Sequence, residues 1–378
     1  MLYWFADRLS ELWGPLRLFS SHLVLMSFGS LLAGFFTWWL LPKFWDRLPH
    51  DRGKAIAADG GAKSKNKPTG AGLVFTLVIL AVALLFVPFQ NWEYGTVAAL
   101  YASMVFGYLD DRSSGAWGEW RKGLLDLLAS LAAATCIYLA QGGHVWVPFA
   151  KGLYLMPAWS FIPCATMVLL VSINATNCSD GVDGLAGSLA IEALLSLIVL
   201  LYLVVGYAPV ASYLLIPFKP DAARWAVFAL TATGSVAGYL WYNAEPSKVL
   251  MGDAGSRFLG MLIGVLVLVS GNLWLLLMVA PMIILNGATG LVKLTTLRFF
   301  RVLGFDVRIT SKIPDERERR KQFVLIRALH KVRLPLHDFF RKKERSEKSW
   351  SNAMVLMRFV LIQGFLIPIL FVIMIKLR

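Results

Sequence analysis

The sequence predicts an all-α polytopic membrane protein with about ten transmembrane helices. Three observations carry this. The 378 residues are 57% hydrophobic and only 16% charged, with a mean hydropathy of +0.63, far less charge than a soluble chain of this size carries. Apolar runs recur at the length a bilayer core demands, about 20 residues each. No run alternates polar and apolar residues in the way an outer-membrane barrel would require.

The elements follow in order along one integral membrane domain, 1–378. Residues 1–20, MLYWFADRLSELWGPLRLFS, carry Asp7, Arg8, Glu11 and Arg17. They lack the basic start, apolar run and small-residue cleavage site of a signal peptide, so they read as an interfacial amphipathic segment. The first span, 21–42, has Trp38 and Trp39 as interfacial anchors. The second, 70–90, begins after Pro68-Thr69-Gly70. The third, 94–109, is short and stops at Asp110-Asp111. The fourth, 123–140, follows EWRK. The fifth, 157–174, runs into NATNCSDGVDG, and the sixth, 184–206, emerges from it. The seventh, 224–242, ends in WYNAEP. The eighth, 256–270, is short and follows GDAGS; only Ser270-Gly271-Asn272 divides it from the ninth, 272–295. The tenth, 353–376, follows a long basic loop over 299–350.

The net charge of +14 is unevenly placed. The loop after the first span holds Lys43, Arg47, Arg52, Lys54, Lys63, Lys65 and Lys67. The segment 298–350 holds 16 Lys and Arg, whereas the even-numbered loops offer little beyond Lys151 and Lys219. Lys and Arg mark the cytoplasmic side, so the odd-numbered loops face the cytoplasm and both termini face out. Orientation and contact with anionic lipid account for this charge, and no nucleic-acid partner is expected. The three cysteines lack metal-ligand spacing.

Every unusual polar cluster falls on that cytoplasmic side. Asp110, Asp111, Asp180, Asp183 and Asp253 each sit within a few residues of a span, where ionised groups are costly and tend to be functional. If the segment is helical, Asp180 and Asp183 share a face. Carboxylates with few histidines suit a hard cation such as Mg²⁺, which leaves room for water and substrate phosphate; zinc would want His and Cys. Lys63, Lys65 and Lys67 beside Thr69, and GDAGS at a helix start, offer positive charge and free N–H groups to an anion. GxxxxGK[ST] and GxGxxG are absent, which excludes those nucleotide sites. The set reads as metal-assisted phosphoryl transfer at the membrane surface.

The same stretches resemble the polyprenyl-phosphate N-acetylhexosamine-1-phosphate transferases. FGYLDDR is similar to that family's aspartate pair, NATNCSDGVDGLAG to its N-x-x-N-x-x-D-G-x-D-G-L-A motif, and NAEPSKVLMGDAGSRFLG to its N…MGD-x-G-S motif. KPTGAG resembles its loop-one region. LPLHDFF, with the tail from Trp350 to Gln363, resembles the branch that uses UDP-N-acetylmuramoyl-pentapeptide. Order and spacing match from about residue 60 onward.

The resemblance implies a bacterial inner-membrane enzyme that joins this donor to undecaprenyl phosphate, releasing UMP and requiring Mg²⁺. It implies Asp253 as metal ligand, with Asp180 and Asp183 in the metal and nucleotide region beside Asn174 and Asn177. Asp110 and Asp111 would sit beside the lipid phosphate, Asp110 as candidate base. Lys122 would lie near the diphosphate. Asn243 and Gly252 would help hold uridine, with Leu250 where the family commonly has a stacking Phe. Lys65 and Thr69 match loop-one positions, and His337 matches the first of three family histidines, here His337-Asp338-Phe339. Asp126 stands where a Gln is common. The family is often dimeric, so a homodimer is an expectation. The alternatives are a sister enzyme that loads a UDP-N-acetylhexosamine, and, from another class, a transporter or flippase. A transporter would place its acids near mid-bilayer and show repeated halves, whereas here the acids cluster at one face and no clear internal repeat is found.

Overall fold

A computed structural model describes residues 2–51, 66–113, 115, 117–147, 153–308, 313, 322–332, 334–341 and 349–376. Each predicted span is occupied by a helix. In chain order the α-helices among the described residues, those outside the spans included, are α1 (Leu2–Leu12), α2 (His22–Phe44), α3 (Gly72–Phe86), α4 (Trp92–Arg112), α5 (Glu119–Gln141), α6 (Ala158–Ser179), α7 (Leu185–Val199), α8 (Ala208–Tyr213), α9 (Ala222–Asn243), α10 (Gly252–Val269), α11 (Leu276–Val279), α12 (Pro281–Val302), α13 (Val324–Lys331), α14 (Leu336–Phe340) and α15 (Asn352–Lys376). A π-helical stretch extends α7 to Val205.

Among the described residues six helices are long and apolar enough to cross a bilayer: α2, α5, α6, α7, α10 and α15. The protein is therefore an all-α, multi-pass membrane protein. Helix α3, with 15 residues, is apolar but short. Helices α4 and α9 have the length, with 21 and 22 residues, but are less apolar. Helix α4 ends on charges, and α9 buries Thr231, Thr233 and Ser235 against protein rather than lipid.

The ninth predicted span is not one straight helix. The chain turns by 101° between Leu273–Val279 and Pro281–Val302. Pro281 explains the break, because it has no N–H to continue a helix yet suits a helix's first turn. One small amendment to the all-α expectation is a hairpin in which β1 (His144–Trp146) pairs antiparallel with β2 (Leu153–Leu155).

Helix α10 is the axis of the fold. Every residue from Ala254 to Val269 is buried, and it packs on α3, α4, α5, α6 and α7. Alternating helix directions then sort the polar groups to two ends. At one end Trp146 Nε1 donates to Ser270 O at 3.0 Å, and Arg224 pairs with Glu93 at 3.0 Å. Lys219 Nζ there donates to Gln141 Oε1 at 3.2 Å and Val269 O at 3.3 Å. Burial pushes its pKa down to about 8. The other end holds the acidic motifs.

Candidate active site

The amino terminus of α10 organises the site. Its first N–H groups have no partner within the helix, and Asp111 at the end of α4 supplies one. Asp111 Oδ1 accepts from Asp253 N at 3.1 Å and Oδ2 from Ala254 N at 3.2 Å, a placement the helix dipole also favours. Gly252 opens the turn at φ +73°, and a Cβ there would lie 2.6 Å from Gly70 N. Glycine meets both the conformation and the space. The KPTGAG segment is laced to this turn. Leu250 N donates to Pro68 O at 2.8 Å, Ala71 N to Leu250 O at 3.1 Å and Gly72 N to Met251 O at 3.0 Å. Thr69 N is tied to Pro49 O at 2.7 Å. Lys65 lies outside the described residues.

Asp110 is turned about 100° from Asp111 around the helix and does something else. Its Oδ1 accepts from Trp117 N at 2.8 Å, and its Oδ2 pairs with Lys122. The Lys122 ammonium also lies 3.3 Å from Asp253 Oδ2. Asn177 Nδ2 reaches Asp253 Oδ1 at 3.1 Å and Ser256 Oγ at 3.0 Å. Arg257 Nη2 lies 3.4 Å from Asp253 Oδ2, and Arg257 Nη1 binds Asp126 Oδ1 at 2.6 Å. Thus Lys122 joins two carboxylates from different helices, and a buried Arg257–Asp126 pair braces Asp253 from behind. Arg257 is not a sequence candidate, and Asp126 enters only as a departure from the family's Gln, with no role; charges inside apolar spans are a signal that could have found the pair.

The DGVDG turn forms a second group. Helix α6 stops at Ser179, and Asp180 leaves helical geometry at φ −81°, ψ 55°. The shared helical face expected for Asp180 and Asp183 therefore does not form. Asp183 Oδ2 accepts from Ser247 N at 3.2 Å and lies 3.7 Å from Lys67 Nζ, which also donates to Ser247 Oγ at 2.9 Å. Asn243 is buried, accepting from Gly184 N at 2.8 Å and donating to Val249 O at 2.8 Å. In this structure it ties two loops of the site together through their backbones. Asn174 Nδ2 donates back to Leu170 O at 2.9 Å within its own helix.

His337 is brought to the same turn. It is buried, and its ring packs on Gly181. Asn286 of α12 holds it: Oδ1 accepts the His337 backbone N–H at 3.0 Å and lies 3.2 Å from Nδ1. Asn286 Nδ2 in turn donates to Ser179 Oγ at 3.0 Å. Asn286 is a further residue that sequence reasoning missed, a lone amide in an apolar helix. Arg341 Nη1 donates to Gly181 O at 3.3 Å.

No three His, Cys, Asp or Glu side chains among the described residues form a group able to hold a metal ion. The expected trio of Asp180, Asp183 and Asp253 is not such a group, because Asp183 turns to Lys67 and Ser247 while Asp253 turns to Lys122, Arg257 and Asn177. The donor chemistry nevertheless fits a hard divalent cation. Asp110 and Asp253 already direct one oxygen each at a single positive charge, and Mg²⁺ needs only one or two carboxylates beside water and phosphate.

Residues 92–271 match the model of glycosyl transferase family 4. The phospho-N-acetylmuramoyl-pentapeptide-transferases of Treponema pallidum subsp. pallidum and of Treponema pallidum strain Nichols are each 42% identical over 370 residues, covering 97% of this chain and 93% of theirs. A protein of the same name from a Nitratiruptor species is 27% identical over 344 residues, covering 87% of this chain and 88% of its own. With such identity over nearly its whole length, the chain belongs to the phospho-N-acetylmuramoyl-pentapeptide-transferase family.

Proposed function

We infer that the chain transfers phospho-N-acetylmuramoyl-pentapeptide from its UDP-linked precursor to undecaprenyl phosphate, giving lipid I and UMP in peptidoglycan synthesis. Membership of the family supports this, and one structural observation carries it: Lys122 held between Asp110 and Asp253 where the apolar helices end. The acceptor is confined to the bilayer and the donor is dissolved, so the chemistry belongs at that edge.

An oxygen of the lipid phosphate attacks the β-phosphorus of the donor. The bond from that phosphorus to the bridging oxygen breaks, and UMP leaves with the electron pair. Asp110 accepts any proton still on the attacking phosphate, its other oxygen fixed by Trp117 N–H. Lys122 offsets the charge that gathers on the phosphates. Asn177 and Arg257 keep Asp253 oriented. Mg²⁺ held by Asp253 would supply Lewis-acid neutralisation of the diphosphate. Lys67, Asp183 and His337 line the side toward the DGVDG turn, where the nucleotide and sugar-peptide would lie. The ten apolar runs support ten crossings, the Lys and Arg distribution supports outward termini, and membership of the family supports residence in a bacterial inner membrane; a homodimer is part of the proposal.

UMP release by the purified protein with undecaprenyl phosphate and Mg²⁺ tests the reading. Turnover is expected with UDP-N-acetylmuramoyl-pentapeptide and not with UDP-N-acetylglucosamine. The reverse would move the protein to the sister activity. Asp253→Asn should abolish Mg²⁺-dependent release while leaving the fold intact, and near-normal turnover would sink the metal assignment.

A further inference from the structure

Gln363 lies near the middle of α15 and is fully buried. Its amide joins three helices. Oε1 accepts from Met282 N of α12 at 3.2 Å, and Nε2 donates to Leu189 O at 2.8 Å and to Glu192 Oε2 at 3.2 Å, both on α7. Met282 N–H can only donate and Leu189 O can only accept, so both ends of the amide are committed. The bond to Met282 answers the 101° break before Pro281. The first N–H groups of a helix lack partners within it, Pro281 has none to offer, and no water reaches a bilayer interior to take up the next. Ile284 N already finds Ala280 O at 3.0 Å. Gln363 thus supplies the side-chain bond that ties down the amino end of α12.

Helix α12 carries that constraint to the site. At Gly287 it crosses α6 so closely that a Cβ would lie 2.3 Å from Ala175 Cα. With this crossing as a pivot, the amino end sets the swing of the helix. One turn past Met282, Asn286 holds the His337 N–H and ring and reaches Ser179 Oγ. Beyond the pivot Gly290 meets Pro335, and a Cβ there would lie 3.1 Å from Pro335 Cγ. Both contacts bear on the segment that carries His337.

We propose that Gln363 is a positioning residue for His337: by anchoring the amino end of α12 at Met282 N it sets where Asn286 and Gly290 meet the His337 segment. Gln363 touches no substrate and acts from the middle of the membrane. Glu192 steadies the amide from the α7 side and has no part in the steps of transfer. The effect on turnover rests on the activity proposed above, whereas the effect on the His337 segment does not.

The full chain is compared with its Gln363→Met, Glu192→Gln and Gln363→Glu/Glu192→Gln variants by hydrogen exchange at the His337 amide and by UMP release. Gln363→Met keeps the volume and removes the acceptor. Its kcat should fall about tenfold and its His337 amide exchange about tenfold faster, the scale of one unpaired buried donor, with KM for undecaprenyl phosphate unchanged. Glu192→Gln still accepts from Gln363 and should behave as wild type. The double exchange keeps an acceptor at Met282 N and a donor between positions 192 and 363, losing only the bond to Leu189 O, so it should recover most of both losses. Adding Gln363→Met to Asn286→Ala should cost little more than Asn286→Ala alone, because one acts through the other. Should Gln363→Met not fold, Gln363→Asn, which draws the amide back by one methylene, is read in the same way. A lower melting temperature with kcat and exchange unchanged overturns the proposal and leaves Gln363 a packing element. So does fully additive loss with Asn286→Ala, or a double exchange as slow as Gln363→Met. Slower turnover with unchanged His337 exchange overturns the route through α12. Faster His337 exchange in Gln363→Met, in a protein that releases no UMP even as wild type, supports the strut and counts against the proposed function.

Discussion

Replacing Asp126 with leucine should separate stability from activity. The Asp126 and Arg257 side chains are 3% and 6% exposed, and their contact is 2.6 Å. Removing one partner of such a buried pair costs about 3–5 kcal/mol, because the other charge is left in a poor environment. Arg257 keeps a second carboxylate, Asp253, at 3.4 Å, so the lower end applies and a loss of about 3 kcal/mol is expected for Asp126→Leu. Adding Arg257→Met removes the stranded charge, and the double variant should return to within about 1 kcal/mol of wild type. Its activity should not return. Asp253 loses one of its donors in the double variant, and UMP release should stay down at least about tenfold, equivalent to roughly 1.4 kcal/mol of barrier. Denaturant unfolding in micelles reads the first quantity and initial UMP release the second. A single variant that loses less than about 1 kcal/mol, or a double variant that regains turnover with stability, refutes the reasoning.

Three further outcomes are expected. Gly252→Ala forces a side chain into a positive-φ turn 2.6 Å from Gly70 N, so unfolding and UMP release should both suffer, by about 1–3 kcal/mol in stability; a neutral result would show that the turn can relax. Asn286→Ala should lower kcat more than it lowers melting temperature, because His337 loses the acceptor at its backbone N–H and Nδ1, and an unchanged kcat would remove His337 from the reaction. Lys219 titrates near 8 in the fold against an ordinary 10.5, so the unfolded chain binds more protons between those values. This group's contribution to stability should climb by about 3 kcal/mol as pH rises from 8 to 10.5, lie flat at its low level below 8, and vanish in Lys219→Met.

The helices were legible because lipid and protein interior demand the same thing of a span, an unbroken apolar run. That demand also hid the bend at Ala280, since hydropathy does not change across it and only Pro281 marks the spot. The acidic motifs were legible because ionised groups at span ends have few structural uses. What they touch was less so. Asp126 and Arg257 are 131 positions apart, and no local pattern pairs them. Asn243 reads as a ligand-facing amide, yet burial commits it to Gly184 and Val249. The basic residue found against Asp183 is Lys67, two positions beyond Lys65. The helical reading of Asp180 and Asp183 gave way because the glycines that follow them, Gly181 and Gly184, favour a turn over continued helix.

Asp110 and Asp111 are neighbours in the chain and strangers in the structure: one faces the ammonium of Lys122, the other is mortar for the first turn of α10. A survey that scores variants only as living or dead would report one indivisible motif. A survey that weighs abundance against rate would split it, with the first aspartate failing in well-made protein and the second failing during assembly. Asparagine, which keeps an oxygen to accept N–H groups, should be tolerated unequally by the two, and a compound designed to engage the first would find the second already spoken for.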